Sequence, residues 1–132
     1  MRKLRGLIIM LLISLSLFNL TACQNSGGTP TYEQITAAQA KEIMDTKQDY
    51  IIIDARTEEE FDQGHIEDAI LIPEYEIAKR AQKEVPDKDA LILVYCRSGR
   101  RSKIASEELV NLGYTNVKEF GGIIDWPYEV VK

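Results

Sequence analysis

The chain has 132 residues, of which 45% are hydrophobic and 28% charged, and its formal net charge is −5 at pH 7. Because nucleic-acid binding depends on clustered cations that neutralise phosphates, this acidic balance excludes nucleic acid as an expected partner. The sequence contains two cysteines and one histidine. These are too few for a zinc site built from Cys and His, which takes four ligands, so no metal site is expected.

The first 22 residues have the composition of a secretion signal. Three cations lie within the first five residues, and an apolar core follows over residues 7–20. That core is shorter than the roughly 20 residues that a membrane-spanning helix needs. The segment ends in Leu-Thr-Ala-Cys at 20–23, which resembles the lipobox of bacterial lipoproteins. We therefore expect cleavage before Cys23 and lipidation of Cys23.

This processing predicts an extracytoplasmic protein that its lipid anchors to a bacterial membrane, at the outer face of the cytoplasmic membrane or on the periplasmic side. Cleavage leaves 110 residues and removes three cations, which moves the formal net charge from −5 to −8. Residues 23–31 contain the lipidated cysteine and an uncharged stretch rich in Ser, Gly, Thr and Pro, which predicts a flexible tether. Residues 32–132 then form one domain of ordinary size.

Within this domain, apolar runs alternate with helical segments, which predicts an α/β fold with a mostly parallel sheet. The strands are predicted at 32–35, 50–53, 69–72, 90–94 and 116–120. The helices are predicted from Thr36 to about Met44, from Thr57 to about Gly64, over 74–84 and over 103–112. Thr36 with Gln39 and Thr57 with Glu60 have the spacing of capping boxes, and Gly113 is the expected end of the last helix.

The strongest chemical signal lies between the fourth strand and the last helix. Cys96 directly follows the strand, and Arg97, Arg100 and Arg101 lie within five residues of it. A helix N-terminus offers unpaired N–H groups and a partial positive charge, and these, with the guanidinium groups, favour thiolate over thiol. If Cys23 carries lipid, Cys96 has no disulfide partner in its own domain. The sequence therefore predicts a reactive thiol that meets an anionic substrate.

Three groups of residues, taken in order, resemble the rhodanese domain. The first group comprises Ile-Asp-Ala-Arg at 53–56, Glu-Phe at 60–61, Gly-His-Ile at 64–66 and the 69–73 segment. The second is Cys-Arg-Ser-Gly-Arg-Arg-Ser at 96–102. The third comprises Gly-Tyr at 113–114, Val117, Gly-Gly at 121–122 and Trp126. Together they cover residues 33–128. The resemblance implies about five parallel strands flanked by helices on both faces, and it implies no metal or organic cofactor.

The resemblance also implies a chemistry, in which Cys96 accepts a sulfane sulfur, becomes a persulfide and passes the sulfur to a second nucleophile. Backbone N–H groups of the loop would meet the persulfide charge, and Gly99 would permit the tight turn. Arg97 and Arg100 would point outward and attract an anionic donor, whereas Arg101 stands where the family usually turns a side chain inward to brace the loop. The loop residues assigned to this site are Arg97, Ser98, Gly99, Arg100, Arg101 and Ser102.

Three further residues are expected to support the site. Asp54 ends a central strand and so lies on the same sheet edge as Cys96, where it would fix a loop as a hydrogen-bond acceptor. Arg56 is expected to form a structural ion pair with Glu60. A structural hydrogen bond is favoured for His65 over general base catalysis, and Trp126 is expected to pack in the core.

The predicted function is sulfur transfer from an anionic donor such as thiosulfate or a persulfide to a thiol or cyanide-like acceptor. A thioredoxin-like protein is one candidate acceptor, and a monomer is expected. The first alternative is a lipid-tethered redox-sensing or partner-binding module that is not an enzyme. The second is a cysteine phosphatase or arsenate reductase, whose loop has an Arg six residues after the Cys. Here Ser102 stands at that position, and Arg101 comes one residue earlier.

Overall fold

The computed structural model describes residues 31–132, and the predicted signal segment, Cys23 and most of the tether lie outside them. Within the described residues, five strands form a single parallel sheet in the order β1-β5-β4-β2-β3. They are β1 (Glu33–Gln34), β2 (Ile51–Asp54), β3 (Ala69–Leu71), β4 (Ile92–Cys96) and β5 (Val117–Gly122). Because β4 lies at the centre of the sheet, all five of its residues are buried.

In the part of the chain that the structure describes, four α-helices connect the strands and cover the sheet. They are α1 (Ala37–Thr46), α2 (Glu58–Gln63), α3 (Ile77–Glu84) and α4 (Arg100–Asn111), with short 3₁₀ helices at Glu74–Glu76 and Ile123–Asp125. In residues 31–132, no helix has the length and apolar character that crossing a membrane requires. The predicted capping boxes are both present, at Thr36 with Gln39 and at Thr57 with Glu60.

The side chains of the sheet pack into two cores, one on each face. Ile53, Val94 and Cys96 pack with residues of α3 and α4 on one face, among them Ala81 and Leu109. On the other face, a second core joins strand residues to α1, to Phe61 of α2 and to Trp126; its buried members are Ala40, Ile52, Ile66, Ala69, Leu93, Tyr95, Phe120 and Trp126. The predicted α/β class, with parallel strands flanked by helices on both faces, is confirmed.

Two predicted boundaries beside the loop from Cys96 to Ser102 are wrong. The last helix begins at Arg100 and not at residue 103, because Gly99 adopts a left-handed conformation with φ +102° that turns the chain directly from β4 into the helix. The last strand continues through Gly121 and Gly122 and does not end at residue 120. As a result, the start of the last helix and the end of the last strand both lie closer to Cys96 than the sequence predicted.

Candidate active site

Cys96 is the last residue of β4 and lies at the carboxyl edge of the sheet. Asp54, the last residue of β2, lies opposite Tyr95 of β4 in the sheet. Gly122 of β5 lies opposite Cys96. Ligand sites of open parallel sheets form at this edge. The fold therefore brings Cys96 and Asp54 to one edge, as the sequence predicted.

The sulfur of Cys96 is enclosed by neutral polar groups of the loop. Cys96 is 1% exposed. The amide N–H of Gly99 donates to Sγ at 3.0 Å, and Ser102 Oγ lies 3.4 Å from Sγ. The loop from Cys96 to Ser102 therefore curves back around the sulfur, so that Ser102 in the first turn of α4 faces the thiol.

The pKa of Cys96 reflects two opposing effects. Burial raises the pKa, whereas hydrogen bonds from the Ser102 hydroxyl and from the backbone N–H groups of Ser102, Gly99 and Ser98 lower it. The hydrogen bonds prevail, so the pKa of Cys96 lies below its ordinary value. Hydrogen bonds from neutral groups of the loop thus favour the thiolate. The sequence prediction had relied on the arginine charges as well, and these are not among the main causes.

The three arginines of the loop have different environments. Arg97 and Arg100 are exposed. Arg101 is partly buried and donates through both terminal nitrogens to the carboxylate of Glu60, at 2.7 and 2.8 Å. Its pKa is raised, first by this hydrogen-bonded carboxylate and to a smaller extent by the charge of Cys96. Arg101 therefore connects α4 to α2.

The predicted ion pair between Arg56 and Glu60 is wrong. Arg56 pairs with Asp54, with its Nη2 donating to Asp54 Oδ2 at 2.7 Å and its own backbone N–H donating to Oδ1 at 2.9 Å. The chain turns directly after β2, so the Arg56 side chain folds back over Asp54, whereas Glu60 on α2 faces α4. Arg56 also donates to the carbonyl of Gly64 at 2.7 Å.

Asp54 is fully buried and accepts a third partner, the hydroxyl of Tyr95, at 2.6 Å. That hydroxyl in turn accepts the backbone N–H of Ile66 at 3.1 Å. Burial, and next the charge of Asp54, raise the pKa of Tyr95, so its hydroxyl keeps its proton. Asp54 thus fixes the loops that follow β2, and sequence reasoning did not identify Tyr95 as its partner.

His65 lies among structural contacts. Its ring stacks on Phe61 with centroids 3.7 Å apart, its Nδ1 is 3.0 Å from the carbonyl oxygen of Phe61, and its backbone pairs with Val131. Trp126 is buried between Phe120 and Tyr128. Neither residue shares a hydrogen bond with the loop that encloses Cys96 among the bonds of residues 31–132.

Two residues of β5 that sequence reasoning did not assign to the site contact the loop. Glu119 is a buried carboxylate whose Oε1 lies 2.6 Å from Ser102 Oγ. Gly122 packs so closely that a Cβ there would lie 2.0 Å from the carbonyl oxygen of Arg97. The available signal was strand alternation, because Val117 and Glu119 share the face that packs on α4.

The comparisons with known proteins agree with this architecture. The sequence model of the rhodanese-like domain matches residues 36–127, which is more than half of the chain. Thiosulfate sulfurtransferase PspE of Escherichia coli is 42% identical over 80 residues, which cover 61% of this chain and 77% of that protein. A sulfurtransferase of Allochromatium vinosum is 41% identical over 88 residues, which cover 66% of this chain and 79% of the relative.

Solved structures agree as well. A rhodanese with anions from E. coli superposes with a TM-score of 0.60 at 41% identity, covering 63% of this chain and 98% of that one. A rhodanese-related protein from Thermoplasma volcanium gives a TM-score of 0.65 at 33% identity, covering 76% and 98% of the two chains. The chain therefore belongs to the rhodanese-like domain family.

Proposed function

We propose that this protein is a sulfurtransferase that carries a sulfane sulfur on Cys96 as a persulfide. The observation that carries the proposal is the enclosure of Sγ by the Gly99 N–H and the Ser102 hydroxyl, with a pKa lowered by hydrogen bonds from the loop. A thiolate is the form that attacks a sulfane sulfur. The names of the relatives from E. coli and A. vinosum, which are sulfurtransferases, support the same chemistry.

The reaction balances with thiosulfate as the donor. The Cys96 thiolate attacks the outer sulfur of thiosulfate, a new S–S bond forms, and sulfite leaves with the electron pair of the old S–S bond. The product carries its negative charge one atom beyond Sγ, where the N–H groups of the first turn of α4 can donate hydrogen bonds to it. An acceptor such as cyanide or a thiolate then attacks the terminal sulfur and releases the Cys96 thiolate.

The exposed cations of the loop suit the capture of an anionic donor. Arg97 and Arg100 flank the buried thiol and are exposed, although the chain as a whole is acidic. Local cations on an acidic protein raise the concentration of small anions near the site. The residue six positions after Cys96 is Ser102 and not the Arg of a phosphatase loop, which favours transfer of one sulfur atom over transfer of a phosphoryl group.

We propose in addition that the protein acts outside the cytoplasm on a lipid anchor at Cys23, with a small thiol or a thioredoxin-like protein as the physiological acceptor. The leader, the apolar core and the Leu-Thr-Ala-Cys segment at 20–23 support the anchor. Metabolic labelling with a radioactive fatty acid tests it in cells. Label on the wild-type chain and none on a Cys23→Ala variant is expected, whereas equal label on both contradicts the anchor.

Intact-mass measurement tests the sulfur transfer directly. The full chain is treated with thiosulfate, and the addition of one sulfur atom is expected. Cys23→Ala is the matched control because it removes the other cysteine and leaves the site intact, so it should gain sulfur and should produce thiocyanate from cyanide. Cys96→Ala should do neither. Sulfur transfer that survives Cys96→Ala contradicts the proposal.

A further inference from the structure

A carboxylate lies buried behind the Cys96 thiol. Glu119 is 3% exposed, and none of the ion pairs in residues 31–132 includes it. Its Oε1 accepts the backbone N–H of Gly121 at 2.8 Å and lies 2.6 Å from Ser102 Oγ. A buried charge without a cation is costly. We therefore asked what function a buried carboxylate beside the thiol could have.

The hydroxyl of Ser102 joins this carboxylate to the thiol. The hydroxyl has one hydrogen, and its nearest acceptor is Glu119 Oε1 at 2.6 Å, closer than the carbonyl oxygen of Gly99 at 3.0 Å. When the hydrogen points to Glu119, an oxygen lone pair faces the sulfur of Cys96 at 3.4 Å, and the thiol donates to it. Thiol, hydroxyl and carboxylate then form a continuous hydrogen-bond chain.

We propose that Glu119 takes up the proton that Cys96 loses, with the Ser102 hydroxyl as the relay between them. The thiol proton passes to Ser102 Oγ while the hydroxyl hydrogen passes to Glu119 Oε1, so that Cys–SH and a carboxylate become a thiolate and a carboxylic acid. Afterwards the Ser102 hydroxyl hydrogen is free to point at the thiolate. The inference rests on the proposed function, because it takes the Cys96 thiolate as the attacking species.

The relay keeps the proton balance of the transfer inside the protein. Thiosulfate delivers its sulfur and sulfite leaves while the proton stays on Glu119. When the acceptor removes the sulfur, the thiolate of Cys96 regains the proton through Ser102, and the carboxylate is restored. Glu119 does not touch the substrate, so it is a positioning residue that stores a proton.

Among the titratable groups around Glu119 in residues 31–132, Cys96 is the one that the Ser102 hydroxyl joins to it by hydrogen bonds. On the side of α4, Ser102 contacts the carboxylate, and the exposed Glu107 acts on Tyr32. On the side of β1, Tyr32 faces the carboxylate, and burial together with the charges of Glu107 and Glu119 raises the pKa of Tyr32, so its phenol stays protonated at neutral pH. Glu33 of β1 pairs with Lys118. From β4, the facing titratable group is Cys96.

The test is the pH dependence of Cys96 alkylation by iodoacetamide, measured in the full chain carrying Cys23→Ala. The range runs from about pH 4 to about pH 10, which spans the ordinary pKa values of carboxyl and thiol groups. Because the two groups share one proton over part of this range, two transitions are expected. Glu119→Gln should show one transition, with a rate that falls about tenfold per pH unit below it.

Three further variants show whether the relay is responsible. Glu107→Gln removes the same charge from an exposed site on α4 and should keep two transitions. Ser102→Thr keeps the hydroxyl and should also keep two, whereas Ser102→Ala should leave one. A single transition in the protein without these substitutions overturns the proposal, and this result does not depend on whether Glu119→Gln folds.

Alkylation requires no sulfur donor, so the two proposals fail separately. Two transitions with no sulfur gain from thiosulfate would support the relay and contradict the proposed function. A single transition with normal sulfur gain would overturn the relay and leave the proposed function supported.

Discussion

Both terminal nitrogens of Arg101 donate to the two carboxylate oxygens of Glu60, at 2.7 and 2.8 Å, across the space between α4 and α2. The same carboxylate accepts the backbone N–H of Thr57 at 3.1 Å and so completes the capping box of α2. A two-point pair of this kind fixes orientation as well as distance. The first turn of α4, which faces the thiol, is thereby held to a helix that follows the neighbouring strand.

This pair makes the stability of the domain depend on pH. Chiefly the hydrogen bond from Arg101 lowers the pKa of Glu60 to about 2, against burial that raises it. Because the pKa is lowered in the folded state, the stabilisation is complete above the ordinary carboxyl pKa of about 4.5 and is lost as the pH falls toward about 2. Glu60→Gln should lose about 2 kcal/mol of unfolding free energy at pH 7, discounted for partial exposure.

Urea unfolding at pH 7 and at about pH 3 measures the free energy of unfolding of the wild type and of Glu60→Gln. The difference between the two proteins should be smaller at the lower pH. Glu59→Gln is the control, since it removes an exposed charge from the same helix. It should change the free energy of unfolding by less than about 0.5 kcal/mol at either pH. A Glu60→Gln variant that is as stable as the wild type at pH 7 would show that the pair contributes nothing.

The buried pair of Asp54 and Arg56 should be more sensitive than the surface of the domain. Asp54→Asn leaves a guanidinium that is 5% exposed without its counter-ion, so we expect a loss of about 3–5 kcal/mol. Tyr95→Phe leaves the Ile66 N–H unpaired and takes one donor from Asp54, for which about 1–3 kcal/mol is expected. Urea unfolding ranks the two variants, and equal losses would contradict the charge argument.

The sequence predicted the parts of this structure that depend on local pattern. The β-branched run at 51–53 and the apolar run before Cys96 are central strands because side chains that are buried on both faces need no alternation. The capping boxes at Thr36 and Thr57 are present because both of their hydrogen bonds lie within four residues. Because the strands are parallel, their carboxyl ends lie at one edge of the sheet, and this alone predicts that Asp54 and Cys96 lie at the same edge.

Contacts between elements that are distant in sequence could not be predicted from local pattern. Arg56 has Asp54 two residues before it and Glu60 four residues after it, and only the tertiary placement of α2 beside the first turn of α4 brings Glu60 to Arg101. Glu119 looked like one charge among many in an acidic chain. Its burial follows from the alternation of β5 and from the position of α4 over that face, which together place it behind Ser102.

Gly122 is expected to be intolerant of any side chain. A Cβ at this position would lie 2.0 Å from the carbonyl oxygen of Arg97 and 2.5 Å from Cα of Ser98, so the loop has to move. Displacements of about 1 Å at a site can reduce rates about 100-fold. Gly122→Ala should therefore lose sulfur transfer by about that factor in kcat/KM. Gly113→Ala is the control, since its φ of +95° makes it a strained position but its Cβ meets no atom within 4 Å.

Gly113→Ala should unfold at a lower urea concentration and keep its sulfur transfer. Circular dichroism establishes that both variants are folded before their rates are compared. Activity of Gly122→Ala within about twofold of the wild type would mean that the loop accommodates the methyl group at no functional cost, which contradicts the close approach.

The exposed cations beside the thiol should act on donor capture and not on the chemical step. Replacing both Arg97 and Arg100 with Gln should raise the KM for thiosulfate about three- to tenfold, since each exposed charge contributes less than about 1 kcal/mol. The kcat should stay near its wild-type value, and the KM should become less sensitive to salt, because screening acts on the attraction that was removed. Lys47→Gln is the matched control, as this exposed cation lies between α1 and β2, at the opposite edge of the sheet. Steady-state kinetics at two salt concentrations decide the matter: an unchanged KM in the double variant, or an equal rise in Lys47→Gln, would show that the local cations do not recruit the donor.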